Sequence, residues 1–364
     1  MTAFVLAVFS RLTSRLVSSQ KNYLVSNTII QLKEQKLTKK WNFFDYLVVL
    51  LLTSFSALRF NVGADYPVYL RLFQNTFPQE NWWEQISAAP VDSGFTLLIL
   101  ITKSILNQPE ILFWTTSALT VVPVYATLKK QSTNLPLAIL LYILLSFYVV
   151  PFNIIRQGIA MALNFWANSF LDKSKRAFFL INAIAAIFHS SVVIVALVQY
   201  LVRNWKPKVI TLSLYLVVGV VLASSLASFS SFSGFLPDFI SKYFIYFGEG
   251  IAVQSGIGTY LLILAKLGLL IFALFLGINS TNSRWATYIA IGVAILIMST
   301  QSVVIARMEG YFGIFLILLI PNQLSERKHA KFATLGLVCF GIAFFILYAF
   351  NYSSILPYEM YPWY

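Results

Sequence analysis

The stretch FNIIRQGIAMAL sets Arg156 in the first turn of an otherwise apolar helical pattern, one turn after Asn153 and next to Gln157. Asn153 and Gln157 share a face at i,i+4 spacing. A guanidinium at that place adds to the positive field of the helix N-terminus, a combination that holds an anion. RMEGYF sets Arg307 and Glu309 at the start of a late apolar run. LRFNVGADYPVY follows an early one and carries Arg59, Asp65 and Tyr66 around a turn. In that turn Gly63 permits a positive φ and Pro67 fixes the backbone. His189 stands in IFHSSVV. Arginine is a permanent cation with a fork of donors suited to phosphate oxygens. Carboxylate and imidazole are the groups that exchange protons. Each residue also has an ordinary role open to it. Arg59 can snorkel to a membrane interface, and Arg156 can pair with a carboxylate or a lipid headgroup. His189 can bond a carbonyl, and Arg307 and Glu309 can pair with each other or with neighbours. Ionisable groups at or within apolar spans are costly, which favours function over decoration. His329 lies in the solvated loop SERKHAK and is assigned no role.

The elements that must position these groups follow from composition. Of 364 residues, 59% are hydrophobic, 16% aromatic and only 11% charged, against about 25% charge in a soluble domain. One globule cannot hide that much apolar surface from water, so the class is a multi-span membrane protein. Helices satisfy their backbone polar groups within one segment, and alternating strand patterns are few. The expected fold is therefore all-α, a polytopic membrane bundle of about nine to eleven membrane helices. The formal net charge of +13 falls mostly in short loops, where the positive-inside rule accounts for it without a nucleic-acid partner. The one cysteine, Cys339, excludes an intrachain disulfide and any multi-cysteine metal site.

Candidate membrane segments are 41–58, 93–107, 109–128, 135–151, 153–171, 177–201, 208–226, 258–278, 285–305, 307–321 and 332–350. Residues 1–40 read as a basic, amphipathic segment at the cytoplasmic surface rather than a signal peptide. Residues 41–350 read as one integral-membrane domain, and 351–364 as an aromatic tail at the outer face. Lys33, Lys36, Lys39 and Lys40 place the N-terminal side in the cytoplasm; the polar loop 59–92, with Trp82 and Trp83 as interface anchors, then lies outside. Counting every segment as a full crossing puts Lys129, Lys130 and the Lys173, Lys175, Arg176 cluster on the wrong side. The charges fit better if one segment within 93–128 does not cross and 177–201 is a re-entrant hairpin turning at His189. A single tilted helix over 177–201 is the alternative. In the hairpin arrangement Arg59, Asp65, Arg156, Arg307 and Glu309 all face outward.

With these motifs in order, the chain resembles the EpsG family of exopolysaccharide polymerases, relatives in function of the Wzy polymerases of O-antigen and capsule. The resemblance rests on LRFNVGADYPVY, GFTLLILITK, FNIIRQGIAMAL, KSKRAFFLINAIAAIFHSSVVI, RMEGYF and ILPYEMY, and runs along nearly the whole chain. One departure is Asp92 and Ser93 before Gly94, where the family often has Glu. The resemblance implies a glycosyltransferase at the outer face of the cytoplasmic membrane. It would join oligosaccharide units carried on polyprenyl diphosphate, the hydroxyl of one unit displacing the lipid diphosphate of another. It implies no nucleotide sugar, since the lipid diphosphate is the activated leaving group; the residues themselves call for no cofactor and no metal, because arginine supplies the positive charge and carboxylates are sparse in the spans. Its partners would be the lipid-linked oligosaccharides, the bilayer and, in the same apparatus, a flippase and a chain-length regulator. Arg156, Arg307 and Arg59, in that order, suit the diphosphate charge. Asp65 is the first candidate base and His189 the second. Glu309 would orient Arg307 or bind sugar hydroxyls, and Tyr66, Trp82 and Trp83 would stack on sugars.

The main rival is a flippase or other polysaccharide transporter, which would more naturally show two related halves and polar residues through the membrane depth. Neither is visible. A membrane acyltransferase would want an acidic partner for its histidine, and none is near His189 in sequence. A non-catalytic assembly subunit leaves the arginines and Asp65 without a purpose.

Overall fold

A computed structural model describes residues 40–205, 209–229, 256–277, 283–301, 303–327, 330–351 and 355–361. The basic segment expected over 1–40 (Lys40 apart), most of the polar stretch 226–257, His329, Trp363 and Tyr364 lie outside the described residues. Among those described, the secondary structure is helical apart from one isolated antiparallel bridge, Arg59 with Met360. Among the described residues four helical stretches are long and apolar enough to cross a membrane: Pro109–Gln131, Ile257–Leu276, Ile305–Ser325 (interrupted between Gly313 and Leu316) and Ala330–Asn351. The protein is an all-helical, polytopic membrane protein. Its contacts divide it into two compact units, Lys40–Tyr200 with Arg327–Tyr364, and Leu201–Glu326.

In the first unit α1 (Phe43–Ala57) starts at a capping box, Asn42 with Asp45, worth about 1 kcal/mol. The loop 59–92 holds two short helices that the sequence pattern did not announce, α2 (Tyr66–Gln74) and α3 (Trp82–Ala88). Then come α4 (Ser93–Ile105), α5 (Pro109–Gln131) and α6 (Leu135–Leu144). A 3-10 turn (Val150–Phe152) leads into α7 (Ile155–Ala167), α8 (Lys175–Phe188) and α9 (Val192–Val202). Here the expected span 135–151 is corrected. Its helix stops at Leu144, and Ser146 takes φ 64°. The turn is closed by Ser146 N donating to Ile143 O and Val150 N to Ser146 O, both at 2.9 Å. Ten residues of helix rise about 15 Å, half a hydrocarbon core.

Two buried contacts fix which ends share a face. Lys129 Nζ lies 2.7 and 2.8 Å from the Asp45 carboxylate, and the Tyr125 hydroxyl donates to the same carboxylate at 2.7 Å. The end of α5 therefore lies beside the start of α1, and Lys129 shares the face of Lys40. Gln131 Nε2 donates to Ser169 Oγ at 2.6 Å, and Lys130 covers the Phe170 ring at 4.7 Å, so the end of α7 is on that face too. With α1 and α5 antiparallel, the thirteen residues of α4, about 20 Å long, start and finish on the opposite side.

Residues 175–202 fold as a helical hairpin. Phe179 and Tyr200 have ring centroids 5.1 Å apart, where one continuous helix would separate them by about 30 Å. Both arms are held to α7 by buried amides. Asn164 Nδ2 donates to Asn182 Oδ1 at 2.8 Å and to Gln199 Oε1 at 2.9 Å, and Gln199 Nε2 returns a bond to Asn164 Oδ1 at 3.0 Å. These bonds outweigh the propensity of an apolar run to continue as one helix. The C-terminal helix α15 (Ala330–Asn351) packs on α6. The segment after it returns to the end of α1, where Phe60 N donates to Glu359 O and Tyr361 N to Leu58 O, both at 2.9 Å.

The second unit holds α10 (Val209–Phe229), α11 (Ile257–Leu276), α12 (Ser283–Met298), α13 (Val303–Gly313) and α14 (Leu316–Ser325). α12 is its centre and packs against the other four. Its burial all round, from Trp285 to Leu296, fits a helix without a polar face.

Candidate active site

Asp92 holds the N-cap position of α4 but makes no bond to its own helix with its side chain. Its Oδ2 instead accepts from Arg156 Nη1 at 2.5 Å and stands 3.5 Å from His189 Nδ1. The three side chains are 23%, 30% and 31% exposed in the order Asp92, Arg156, His189, so they are held yet open to a ligand. Gly94 allows the meeting. A Cβ there would lie 2.8 Å from Ile187 O, so only glycine lets the start of α4 close on the last turn of α8. His189 caps that turn and is thereby delivered to Asp92.

Arg156 has a second neighbour in the buried Tyr69, whose phenol its charge acts on. Burial pushes the Tyr69 phenol up, and the guanidinium only partly offsets this. Arg156 Nε makes no hydrogen bond among the described residues. Nε is buried, but the side chain as a whole is 30% exposed, and a guanidinium with five donors that gives one to Asp92 keeps capacity for an anion. Burial works to raise the Asp92 carboxyl, but His189 and Arg156 outweigh it and hold the group below the ordinary carboxylate value. Asp92 is therefore an anion at neutral pH. In the tautomer that donates Nδ1–H to Asp92, His189 keeps the lone pair on Nε2 as a proton acceptor.

Asp65 lies on the turn that leads into α2. It is half-buried at the N-cap of α2 and makes no capping bond with its side chain. Gly63 adopts φ 101°, and Ala64 N donates to Asn153 Oδ1 at 2.7 Å. That bond ties the Asp65 turn to the residue just before α7. The oxygen of Asn153 is thus engaged in holding the backbone, and Gln157 is buried.

Two other expected ligands are enclosed. Arg59 is 2% exposed, with its guanidinium between Phe113 at 5.0 Å and Phe152 at 4.6 Å. Its Nη1 donates to Ser56 O. Burial pulls its pKa down to about 10, which leaves it a cation near neutrality. Tyr66 lies flat on Phe113, centroids 4.6 Å apart, and burial pushes its phenol up to about 12. One face of its ring is already covered. Trp82 and Trp83 stay open on α3.

Arg307 and Glu309 belong to the second unit. Arg307 is exposed, whereas Glu309 is buried and its Oε1 lies 3.1 Å from Lys266 Nζ. Glu309 therefore pairs with Lys266, an alternative to the local pairing with Arg307. Three residues were not singled out from the sequence as site residues: Asp92, Tyr69 and Lys266. Asp92 stood at the noted departure before Gly94, and Lys266 is a lone charge in an apolar run. Tyr69 had no distinguishing signal. Among the described residues no group of three histidine, cysteine or carboxylate side chains is placed to hold a metal ion.

Fold and site together define a class: a polytopic helical membrane protein with an arginine, a carboxylate and a histidine gathered at one end of its helices. The family model of the EpsG family matches residues 42–363, nearly the whole chain. The chain belongs to the EpsG family, a family of Wzy-like exopolysaccharide polymerases. No curated protein and no solved structure matches it.

Proposed function

We propose that the protein is a membrane glycosyltransferase that polymerises oligosaccharide units carried on a polyprenyl diphosphate, at the outer face of the cytoplasmic membrane. The observation that carries this is the shared Asp92 Oδ2, bonded to Arg156 and facing His189. Arg156 takes the diphosphate, whose oxygens gain charge as the bond to the sugar breaks. His189 Nε2 receives the proton of the acceptor hydroxyl as its oxygen bonds the anomeric carbon. The C1–O bond to phosphate breaks in the same step, and the diphosphate leaves with the electron pair. Asp92 holds the imidazole in the working tautomer and stabilises it once protonated. Asp65, on the turn that Asn153 ties to the start of α7, is the second candidate for the base. Arg59, buried between two rings, takes a positioning role, and Arg307, in its own unit, is a ligand for the phosphate charge of a lipid-linked glycan. Residues 41–350 work as one polymerase domain.

The outer location draws support from the basic residues. Lys40, Lys129 and Lys130 share one face, which the positive-inside rule assigns to the cytoplasm. The length of chain from Arg156 to Ser169 puts the trio about 20 Å from that face. The test uses purified protein in proteoliposomes with lipid-linked repeat units and no nucleotide sugar. A ladder of longer lipid-linked glycans is expected, lost in R156A and reduced about a hundredfold or more in H189A. No ladder from wild-type protein would refute the polymerase reading. In a deletion strain, single units stranded at the inner face would point instead to export.

A further inference from the structure

Among the twenty residues of α11, Lys266 is the one charge, and it lies at the midpoint. Its side chain is 4% exposed and that of Glu309 9%. An ammonium in the middle of an apolar span is costly, and a buried ion pair adds little stability over an apolar pair of the same shape. Stability alone thus gives no reason for the arrangement. The carboxylate has a fitted niche. A Cβ on Gly313, one turn after Glu309, would lie 1.8 Å from Oε1 and 2.7 Å from Cδ, and one on Gly292 of α12 would lie 3.6 Å from Cγ. Glu309 can therefore fold back over its own helix toward Lys266 only because Gly313 has no side chain. Arg307 precedes Glu309 by two residues, about 200° around the helix, and is exposed. Drawing Glu309 inward thus turns Arg307 outward.

We propose that Lys266 is a positioning residue of the polymerase: by anchoring Glu309 it holds α13 in the rotation that presents Arg307 to the diphosphate of the lipid-linked glycan. This rests on the reading of Arg307 as a diphosphate ligand. The test measures initial rates against the concentration of lipid-linked repeat units in proteoliposomes. The variants are K266M, K266R, R307A and K266M/R307A, and the folded fraction of each is followed by fluorescence-detected gel filtration. R307A is expected to raise KM about tenfold, the loss of one charge-assisted contact. K266M is expected to do the same with kcat within about twofold, and K266R to recover most of it. In the R307A background K266M should add less than about twofold, because it acts through the missing residue. Wild-type KM in K266M, or effects that multiply with R307A, overturn the positioning role while leaving Arg307 a ligand. Unchanged KM in R307A removes the reading beneath it. Should K266M fail to reach the membrane, K266M/E309Q, which leaves no unpaired buried charge, takes its place in the same comparison.

Discussion

Replacing Asp92 by asparagine keeps the shape of the side chain and removes its charge. Two effects follow, and their sizes separate them. The Arg156–Asp92 pair is only partly buried, with side chains 30% and 23% exposed, so its contribution to stability is about 1 kcal/mol. In a chain of 364 residues that lowers Tm by about 2 °C. The kinetic effect is larger. The introduced amide can offer His189 its N–H as well as its oxygen, and so no longer selects the tautomer with a free Nε2. Positioned general-base catalysis contributes about 10²- to 10⁴-fold, and we expect kcat/KM to fall about 10²-fold, or about 2.7 kcal/mol of barrier. D92E keeps the carboxylate on a side chain one methylene longer, and should retain about a tenth of the activity or more. The pH sign is fixed. The Asp92 carboxyl is held below its ordinary 3.8 in the folded protein, so its stabilisation is fully present above that value. It is lost only as pH falls through the lower, folded value. The Tm difference between wild type and D92N should therefore vanish in strong acid, where Asp92 is protonated in the folded protein as well. The assay pairs initial rates in proteoliposomes with thermal unfolding in detergent. A D92N protein with wild-type kcat/KM would refute the role given to Asp92. So would an activity loss that merely tracks a Tm drop of about 10 °C or more.

Other substitutions probe the frame around the site. Arg59→Met removes a buried cation that stacks on two rings; we expect a loss of about 2–3 kcal/mol in stability, seen as a lower Tm, with KM for the lipid-linked substrate little changed in the folded fraction. Asn164→Ala cuts the bonds that hold both arms of the α8–α9 hairpin to α7. It should cost about 2 kcal/mol, read as a lower Tm and faster proteolysis near His189, whereas Asn164→Gln should lose less.

What the sequence made legible was mostly local. Arg156 announced itself as a charge in the first turn of an apolar helix, and the two short arms around His189 announced a hairpin because neither is long enough to cross. Asp92 did not, since its partners are 64 and 97 residues away and a carboxylate before a helix reads as an ordinary cap. The absence of an acidic neighbour for His189 in sequence was likewise only a statement about sequence. Arg59 looked open because the segment that encloses it, around Met360, comes from the other end of the chain. The Glu309 partner was half legible. Positions i and i+2 lie on opposite helix faces, which argues against Arg307, and a solitary lysine in an apolar run is the obvious alternative. Span 135–151 misled because its hydropathy is continuous, while its break at Ser146 is set by packing that hydropathy does not record.

The amides that clasp the hairpin also bear on how the protein enters the membrane. α8 and α9 have fourteen and eleven residues, short of the roughly twenty that let a segment leave the translocation channel as a stable span. Neither arm can be retained in lipid by its own apolar length. Each is retained by Asn164 on α7, which emerges from the ribosome first. α7 is itself only thirteen residues long, so by the same measure it is no more a stable span than either arm. The three helices are therefore held in the bilayer only together, as one unit clasped by Asn164, and His189 reaches its place when that unit closes.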